Sequence, residues 1–392
     1  MIEPIYLAAA MRTPIGAFLG ALAEISAPAL GSAVVKASLL RAGLSADAVD
    51  EVIFGNVIGA GLGQNVARQV SIGAGLPVRV GATSINKVCG SGLKAVMLAA
   101  QAIRCGDAGV IVAGGTESMS RTPYLLDKAR TGYRMGNGEL VDSMLRDGLW
   151  DVYNNVHMGT CGDRCAVAYG FSRQRQDDFA AASFKRAIAA AASGAFADEM
   201  APVQTTAGKS IVVVGEDETP KKFNEEKLRQ LKPAFGKDGT ITAGNASSIN
   251  DGAASVIVLS AARAEALGIT PQARILGYAT SSREPEWFTT APIGAISKLL
   301  DQLSLKVSDI DLFEINEAFA VVPMAAMQDL HIPHEKVNVN GGAVALGHPI
   351  GASGARTLVT LIHAMQKRNA RIGIDSLCLG GGEAVAMAIE LV

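Results

Sequence analysis

The sequence predicts an α/β protein built from two similar halves, with layered sheets covered by helices. Short strands rich in β-branched residues, such as 51–54, 110–113 and 255–259, alternate with helical stretches along the chain, which is typical of layered α/β folds. A weak internal duplication divides the chain into two comparable parts. The 392 residues are 49% hydrophobic and 18% charged, so the chain can bury a substantial core.

The duplication is carried by three features that recur in the same order. The segment 44–56 resembles 305–316, and in each half a turn of small residues then opens an amphipathic helix, before an apolar strand runs into glycines. The matched positions, with their separations, are Asn56 and Asn316 (260 residues), Ser91 and Ser353 (262), and Gly114 and Gly381 (267). Nearly constant spacing favours two related units over chance similarity.

Charge and composition exclude several classes of protein. The net charge is −2 and no extended basic block is present, which argues against nucleic-acid binding. The longest apolar stretch, 95–103, is far shorter than the roughly 18 residues that span a bilayer. The start of the chain lacks the pattern of a secretory signal, and five cysteines suit a reducing compartment. We therefore expect a cytoplasmic protein that binds neither nucleic acid nor membranes.

The segment between the halves has a different character. It contains the densest charge of the chain and an alanine-rich helix over 177–192. On composition alone, a solvated insertion is favoured over a dedicated ligand surface. We assign residues 1–120 and 234–268 to the N-terminal half, 121–233 to an inserted loop domain and 269–392 to the C-terminal half.

Cys89 lies where a predicted strand ends and a helix over 89–105 begins. That helix carries few charges, so we expect it to be buried between layers. The free amide hydrogens at a helix start favour a thiolate, and a lowered pKa is the corresponding expectation for Cys89. Gly90 and Gly92 allow a tight turn and close approach. The alternative is that Cys89 is simply a small buried hydrophobic residue.

Three residues occupy comparable turns of the second half. Cys378 precedes a run of glycines, and His348 lies among closely spaced glycines. Histidine is suited to proton exchange near neutral pH and commonly activates a thiol, although the turn at His348 could be merely structural. Asn316, in an apolar passage from strand to helix, could cap the helix or orient a water. If the halves pack about a pseudo-twofold axis, these residues and Cys89 converge on one pocket suited to acyl transfer through a thioester.

The motifs around these residues resemble those of the thiolase family. The segments NKVCGSGLKA, NEAFA, GGAVALGHPIGASG and CLGGG occur in the family's order, and the likeness extends over essentially the whole chain. The resemblance implies a layered αβαβα arrangement with the inserted loop domain. The second cysteine, beside a single GHP histidine, points to thiolases rather than to the related ketoacyl synthases.

The resemblance also implies a role for each residue. Cys89 would accept the acyl group while His348 takes its proton, and Cys378 would deprotonate the second acetyl-CoA. A water held by Asn316 would stabilise the enolate, together with His348, and the backbone amides of Cys89 and Gly380 would form the oxyanion hole. The reaction would join two acetyl-CoA to give acetoacetyl-CoA and CoA, reversibly, with no metal and no cofactor beyond these substrates.

Coenzyme A would bind mainly on the loop domain. The residues expected to line its channel or the acyl pocket are His157, Met158, Lys221, Phe235, Ala243, Ser247, Phe288, Ala318 and Phe319. The chain departs from the family pattern at 161–164, at Lys221, at Ser248, at Phe288 with Thr289, and at Ala384. The bulk of Phe288 and Thr289 favours a short acyl chain. The alternative is a degradative 3-ketoacyl-CoA thiolase for longer chains. Family likeness further implies a homotetramer, with 122–145 as a contact between subunits.

Other classes of protein fit less well. The GAGLG run from Gly59 continues to Gln64 rather than to the glycine of a dinucleotide-binding motif, and the surroundings of Ser91 and Ser353 do not match a serine hydrolase. Cys161 and Cys165 could face one way on a helix, but no second pair of zinc ligands is nearby. A CoA-binding scaffold without catalysis remains as a contrasting hypothesis.

Overall fold

The computed structural model describes residues 3–208 and 210–392, which form a layered α/β fold. The strands are β1 Ile5–Arg12, β2 Gly16–Ala17, β3 Glu51–Gly55, β4 Gly81–Ile85, β5 Val110–Ser118, β6 Tyr124–Leu125, β7 Val141–Asp142, β8 Trp150–Asp151, β9 Val156–His157, β10 Val203–Ala207, β11 Ser210–Val214, β12 Asn250–Ser260, β13 Ala273–Ser282, β14 Leu312–Ile315, β15 Ile372–Leu379 and β16 Glu383–Leu391. The helices are α1 Ala27–Ala42, α2 Val66–Gly73, α3 Ser91–Cys105, α4 Met158–Tyr169, α5 Arg173–Ala192, α6 Glu225–Gln230, α7 Ala261–Leu267, α8 Ala291–Leu303, α9 Val321–Leu330, α10 Ala343–Leu346 and α11 Ile350–Arg368.

The main sheet consists of two arms with the same strand order. The N-terminal arm runs β4, β3, β5, β12, β1, and the C-terminal arm runs β14, β15, β16, β13. The arms meet where β1 and β13 pair over Tyr6 with Arg274 and Leu7 with Ala273. Beyond β14, a parallel bridge from Phe313 to Val337 takes the place that β4 has in the first arm. The parallel and antiparallel pairings also match between the arms, so the architecture repeats the duplication found in the sequence.

Helices form three layers around these two arms. Helices α3 and α11 pack against each other and contact strands of both arms, α1 and α2 cover the N-terminal arm, and α8 covers the C-terminal arm with α9 packed on α8. Residues 350–365 of α11 are buried throughout, and α3 is buried along most of its length. The predicted αβαβα fold class is therefore confirmed, including the prediction that the helix after Cys89 lies between layers.

The segment 121–233 lies outside the main sheet. Its strands pair as β6 with β7, β8 with β9 and β10 with β11, and each pair is a separate two-stranded sheet. It is attached to the first half by a buried ion cluster, in which the Arg12 guanidinium donates to both carboxylate oxygens of Asp217, at 2.8 and 2.9 Å, and to Glu199. Part of the charge of the insertion is therefore buried against β1, because Glu199 and Asp217 are both buried.

Within the described residues, no helix combines the length and the apolar character that crossing a bilayer requires.

Candidate active site

One cavity is lined by most of the catalytic and binding residues that the sequence predicts. Its volume is about 350 Å³, and it lies where the starts of α3 and α11 meet the loop domain. Its walls include Cys89, His348, Gly380, His157, Met158, Phe235, Ala243, Ser247, Phe288, Ala318 and Phe319. Side chains from both halves and from the insertion thus share one space, as the duplication predicts.

A tight turn presents Cys89 to this cavity. Val88, just before it, has a left-handed backbone with φ of 47°, which is rare and strained for a β-branched residue. The turn is closed by Ser91, whose Oγ accepts from the backbone N–H of Lys87 at 2.8 Å and donates to the Val88 carbonyl at 2.6 Å. Helix α3 then begins at Ser91 with Gly90 as its N-cap. Cys89 therefore projects from a fixed turn just ahead of the helix.

The expected lowering of the Cys89 pKa is wrong. Burial raises the pKa of the Cys89 thiol to about 12, although the backbone N–H groups of Gly380 and of Cys89 itself act in the opposite direction. Two hydrogen-bond donors are not enough to offset the loss of hydration in a largely apolar cavity. At neutral pH the free protein therefore holds Cys89 as a thiol, and a base is needed to ionise it.

His348 presents an uncharged imidazole to the same cavity. Its ring is buried, and burial together with the nearby Arg356 guanidinium lowers the pKa of His348 to about 3. Nδ1 lies 2.5 Å from the Ser353 Oγ, and that hydroxyl donates to the Pro349 carbonyl at 2.9 Å. Since the single hydroxyl hydrogen is used there, Ser353 accepts from Nδ1–H. The lone pair is consequently on Nε2, which has no hydrogen-bond partner in the described part of the chain.

The backbone around His348 is held by Asn250. The Asn250 Oδ1 accepts from the His348 backbone N–H at 2.9 Å and from the Ser248 hydroxyl at 2.8 Å. A side chain at Gly347 would clash, because a Cβ there would lie 2.4 Å from the Asn250 carboxamide, and its φ is 113°. Glycine is required before His348 for these two reasons.

Cys378 lies beside Cys89 but deeper. It is near the end of β15 and fully buried, and the Gly380 N–H two residues later contacts the Cys89 thiol. Burial raises the pKa of Cys378, and negative charge on Cys89 would raise it further. Two sulfurs that are far apart in the sequence are thus brought into one region.

Asn316 follows β14 and does not cap a helix. The N-cap of α9 is Ala320, so of the two hypotheses left open by the sequence, capping is wrong. The Asn316 side chain is buried, and neither its oxygen nor its nitrogen has a partner among residues 3–208 and 210–392. Its counterpart Asn56 is different, because its Nδ2 donates to the Glu117 Oε1 at 2.8 Å and to the Thr116 carbonyl at 3.1 Å.

Aromatic rings line the loop-domain side of the cavity. His157 and Phe235 stack with ring centroids 4.4 Å apart, and Phe319 meets Phe235 edge-on at 6.3 Å and Phe288 at 6.4 Å. The Ser247 hydroxyl donates to the Ala318 carbonyl at 3.0 Å. These rings form a continuous apolar wall of the cavity, and such a wall suits a narrow, uncharged segment of a ligand.

Lys221 is placed apart from the other predicted residues. It lines a different cavity, of about 580 Å³, and its Nζ forms an ion pair with Glu216 at 2.5 Å. Its side chain is 63% exposed. Its assignment to coenzyme A stays a prediction, and the catalytic cavity itself does not include it.

Sequence reasoning missed the apolar residues of the cavity and the supports of His348. Further walls are formed by Val88, Met119, Leu145, Gly148, Leu149, Ala246, Ser248, Ile249 and Ile350. No local pattern distinguishes such residues from ordinary core. Ser353 is the exception, because it lies five residues after His348 in the first turns of the helix that follows it.

Cys161 and Cys165, considered above as zinc ligands, both lie on α4. Both side chains are buried, and the described residues contain no group of three or more histidine, cysteine, aspartate and glutamate side chains arranged to hold a metal ion. Cys161 instead faces the Asp151 carboxylate at 3.9 Å. These two cysteines belong to the packing of α4.

Known proteins are similar to this chain over essentially its whole length. Family models of the thiolase N-terminal domain and the thiolase C-terminal domain match residues 5–262 and 269–391. The acetyl-CoA acetyltransferase of Pseudomonas aeruginosa is 52% identical over 390 residues, which cover 99% of each chain. Acetyl-CoA acetyltransferase 2 of Arabidopsis thaliana is 51% identical over 383 residues, 97% of this chain and 95% of the plant protein.

Solved structures agree with these matches. The crystal structure of the Bacillus anthracis acetyl-CoA acetyltransferase superimposes with a TM-score of 0.97 at 40% identity, over 100% of this chain and 99% of that one. Acat5 thiolase from Ascaris suum, in complex with coenzyme A, gives a TM-score of 0.95 at 44% identity, over 100% of both chains. The predicted family is confirmed by models, relatives and structures alike: the chain belongs to the thiolase family.

Proposed function

We propose that the protein is an acetyl-CoA acetyltransferase, which reversibly converts two acetyl-CoA to acetoacetyl-CoA and CoA. The observation that carries this proposal is the cavity in which Cys89, His348 and the Gly380 N–H meet, with Cys378 directly behind. Full-length relatives at about 50% identity bear this name. The geometry supplies a nucleophile, two proton carriers and donors for an oxyanion, which are the parts that thioester exchange needs.

In the first half-reaction, Cys89 takes the acetyl group. The Nε2 of His348 accepts the thiol proton as sulfur attacks the thioester carbon, and the backbone N–H groups of Cys89 and Gly380 face the oxygen that becomes negative. Preorganised donors of this kind are worth about 3 to 4 kcal/mol each in known oxyanion holes. When the bond to CoA breaks, the departing sulfur takes the proton of Cys378, so His348 is left protonated and Cys378 is left as a thiolate.

In the second half-reaction, a carbon–carbon bond forms. The Cys378 thiolate removes a proton from the methyl group of a second acetyl-CoA, and the enolate oxygen is stabilised by His348 Nε2–H and by a water on the free carboxamide of Asn316. The enolate carbon attacks acetyl-Cys89, and the released Cys89 sulfur takes back the proton of His348. All residues return to their starting state. Acylation keeps Cys89 uncharged, so no negative charge beside Cys378 opposes the ionisation of its thiol.

The shape of the cavity favours a short acyl group. Phe288 is buried and packs against Phe319, and the Met158 side chain closes another wall beside Gly380. The pantetheine arm would lie along His157, Phe235 and Ser247. We therefore propose acetyl and acetoacetyl groups as the preferred substrates.

Assembly and location extend the proposal. The segment 122–145 exposes a group of large apolar side chains, namely Tyr124, Leu126, Tyr133, Met135, Leu140 and Leu145. Exposed apolar surface of this kind suits contact with another protein, and we propose that it joins subunits of a homotetramer in the cytoplasm. A molecular mass near four chains in solution, which falls when Met135 and Leu140 are changed to serine, is the expected result.

The function can be tested in two steps with one sample. The protein is incubated with acetyl-CoA, its intact mass and peptides are analysed, and the isolated adduct is then mixed with fresh acetyl-CoA. We expect an acetyl group on Cys89, followed by acetoacetyl-CoA and loss of the adduct. Cys89→Ala should form neither. A scaffold that only binds CoA would give no adduct, and that result would refute the proposal.

A further inference from the structure

Glu117 is a buried carboxylate that the proposed reaction does not use. It lies in β5, its side chain is fully buried, and negative charge on it would raise the pKa of Cys89. A carboxylate away from water is unfavourable unless it is fully hydrogen-bonded. The position of this carboxylate close to the Cys89 thiol therefore depends on its hydrogen-bond partners.

The carboxylate has four partners, and all of them are donors. Its Oε1 accepts from the Asn56 Nδ2 at 2.8 Å and from the Ile58 N–H at 3.3 Å. Its Oε2 accepts from the Val57 N–H at 3.0 Å and from the Gly351 N–H at 2.9 Å. The first three donors follow β3 of the N-terminal half, and the fourth belongs to the first turn of α11. The carboxylate therefore joins the two halves at the level of the cavity.

Glycines allow this close approach. A Cβ on Gly351 would lie 2.7 Å from Oε2 of Glu117, and one on Gly115 would lie 2.0 Å from the Gly351 carbonyl oxygen. A Cβ on Gly55 would lie 2.9 Å from the same oxygen. The first turn of α11 is thus pressed directly onto the ends of β3 and β5. His348 lies three residues before Gly351, and Ser353, which fixes its ring, lies two residues after.

We propose that Glu117 is a positioning residue, whose carboxylate holds the start of α11 so that Nε2 of His348 is aimed at the Cys89 thiol. It exchanges no proton with the substrate, because its acceptor positions are taken by the four donors. This inference rests on the proposed function, since it concerns the geometry of His348 relative to Cys89. Small displacements of reacting groups are sufficient to matter, and about 1 Å can lower a rate by on the order of 100-fold.

The test replaces the Glu117 carboxylate with a carboxamide of nearly the same size. In Glu117→Gln one oxygen becomes an NH₂ group that faces donors, so the start of α11 shifts. We expect single-turnover acetylation of Cys89 and kcat for acetoacetyl-CoA thiolysis to fall together by on the order of 100-fold, with KM changed by less than about threefold. Adding Asn56→Asp gives the new NH₂ an acceptor and should recover several-fold in kcat, whereas Asn56→Asp alone should lower it.

Controls separate positioning from folding. Glu199→Gln alters another buried carboxylate, in the insertion, and should lower the melting temperature while kcat per folded site stays unchanged. If Glu117→Gln is not recovered folded, Glu117→Asp keeps the charge but withdraws it by one methylene, and it should show a smaller fall in kcat. An unchanged kcat in the folded variants, or a double variant no better than Glu117→Gln, would overturn the inference. Failure of the wild type to form acetyl-Cys89 would instead count against the proposed function.

Discussion

Gly92 of α3 and Gly354 of α11 face each other's helix at equivalent points of the two halves. A Cβ on Gly92 would lie 2.5 Å from the backbone nitrogen of Ala355, and a Cβ on Gly354 would lie 2.5 Å from the backbone nitrogen of Leu93. The two helices therefore touch backbone to backbone near their starts. Cys89 and His348 immediately precede these starts, so the glycine contact is what brings them together.

The first prediction concerns this contact. Gly92→Ala would normally strengthen a helix, but here the added methyl meets backbone that cannot rotate away. We expect a loss of about 1 to 3 kcal/mol in the free energy of unfolding, measured by denaturant titration, together with slower acetylation of Cys89. Gly294→Ala is the matched control, because the added Cβ meets chiefly the side chain of Ser281. Equal stability of Gly92→Ala and the wild type would contradict the importance of the contact.

The second prediction separates the roles of the two cysteines. Cys378→Ala removes the base proposed for the methyl proton and leaves the turn at Cys89 intact. Transfer of acetyl to Cys89 should continue at a reduced rate, while formation of acetoacetyl-CoA falls by roughly 100- to 10,000-fold, as for the loss of a general base. Rapid quench with mass spectrometry measures the first step and a product assay measures the second. Full condensation by this variant would rule out the division of labour.

The third prediction follows from the opposite pKa shifts of Cys89 and His348. Burial raises the pKa of Cys89 to about 12 and lowers the pKa of His348 to about 3, so both are uncharged at every pH between these values. Ultraviolet absorbance near 240 nm should thus show no thiolate difference between wild type and Cys89→Ser at pH 7, with a difference emerging only as the pH rises toward 12. A thiolate signal at neutral pH would indicate a preformed ion pair.

The fourth prediction concerns acyl-chain length. Phe288→Ala opens the wall next to Phe319, so a chain two methylenes longer than acetoacetyl gains up to about 0.8 kcal/mol per methylene. The ratio of kcat/KM for 3-oxohexanoyl-CoA to that for acetoacetyl-CoA should rise by about tenfold. Val167→Ala, at an exposed position of α4, serves as the control. An unchanged ratio would show that another wall limits the chain.

Features encoded by local pattern were predictable. The placement of α3 between layers follows from its small number of charged residues, and the meeting of Cys89 with His348 follows from the duplication of strand, turn and helix. Both depend on residues within one short segment or on its repeat. The thiolase motifs then indicate which turns carry the proposed catalytic residues.

Features created by tertiary packing were not predictable. The helix start at Cys89 suggested a lowered pKa, but the loss of hydration is set by residues hundreds of positions away. Glu117 and Asn250 are likewise ordinary polar residues in the sequence, and their importance comes from partners in the opposite half. Lys221 is expected near coenzyme A only because the resemblance places a basic residue there, whereas its ion pair with Glu216 and the cavity it lines depend on how the insertion folds.

Asn56 and Asn316 show that the two halves differ in their polar contacts although they share one architecture. The same carboxamide occurs at the end of the same strand in both halves, yet the Asn56 Nδ2 donates to Glu117 and to the Thr116 carbonyl, whereas neither polar atom of the Asn316 side chain has a partner among the described residues. One half therefore uses its asparagine to connect two strand ends, and the other half keeps both atoms available for a further hydrogen bond. Under the proposed function, this difference accounts for one reaction centre in a molecule built from two like halves.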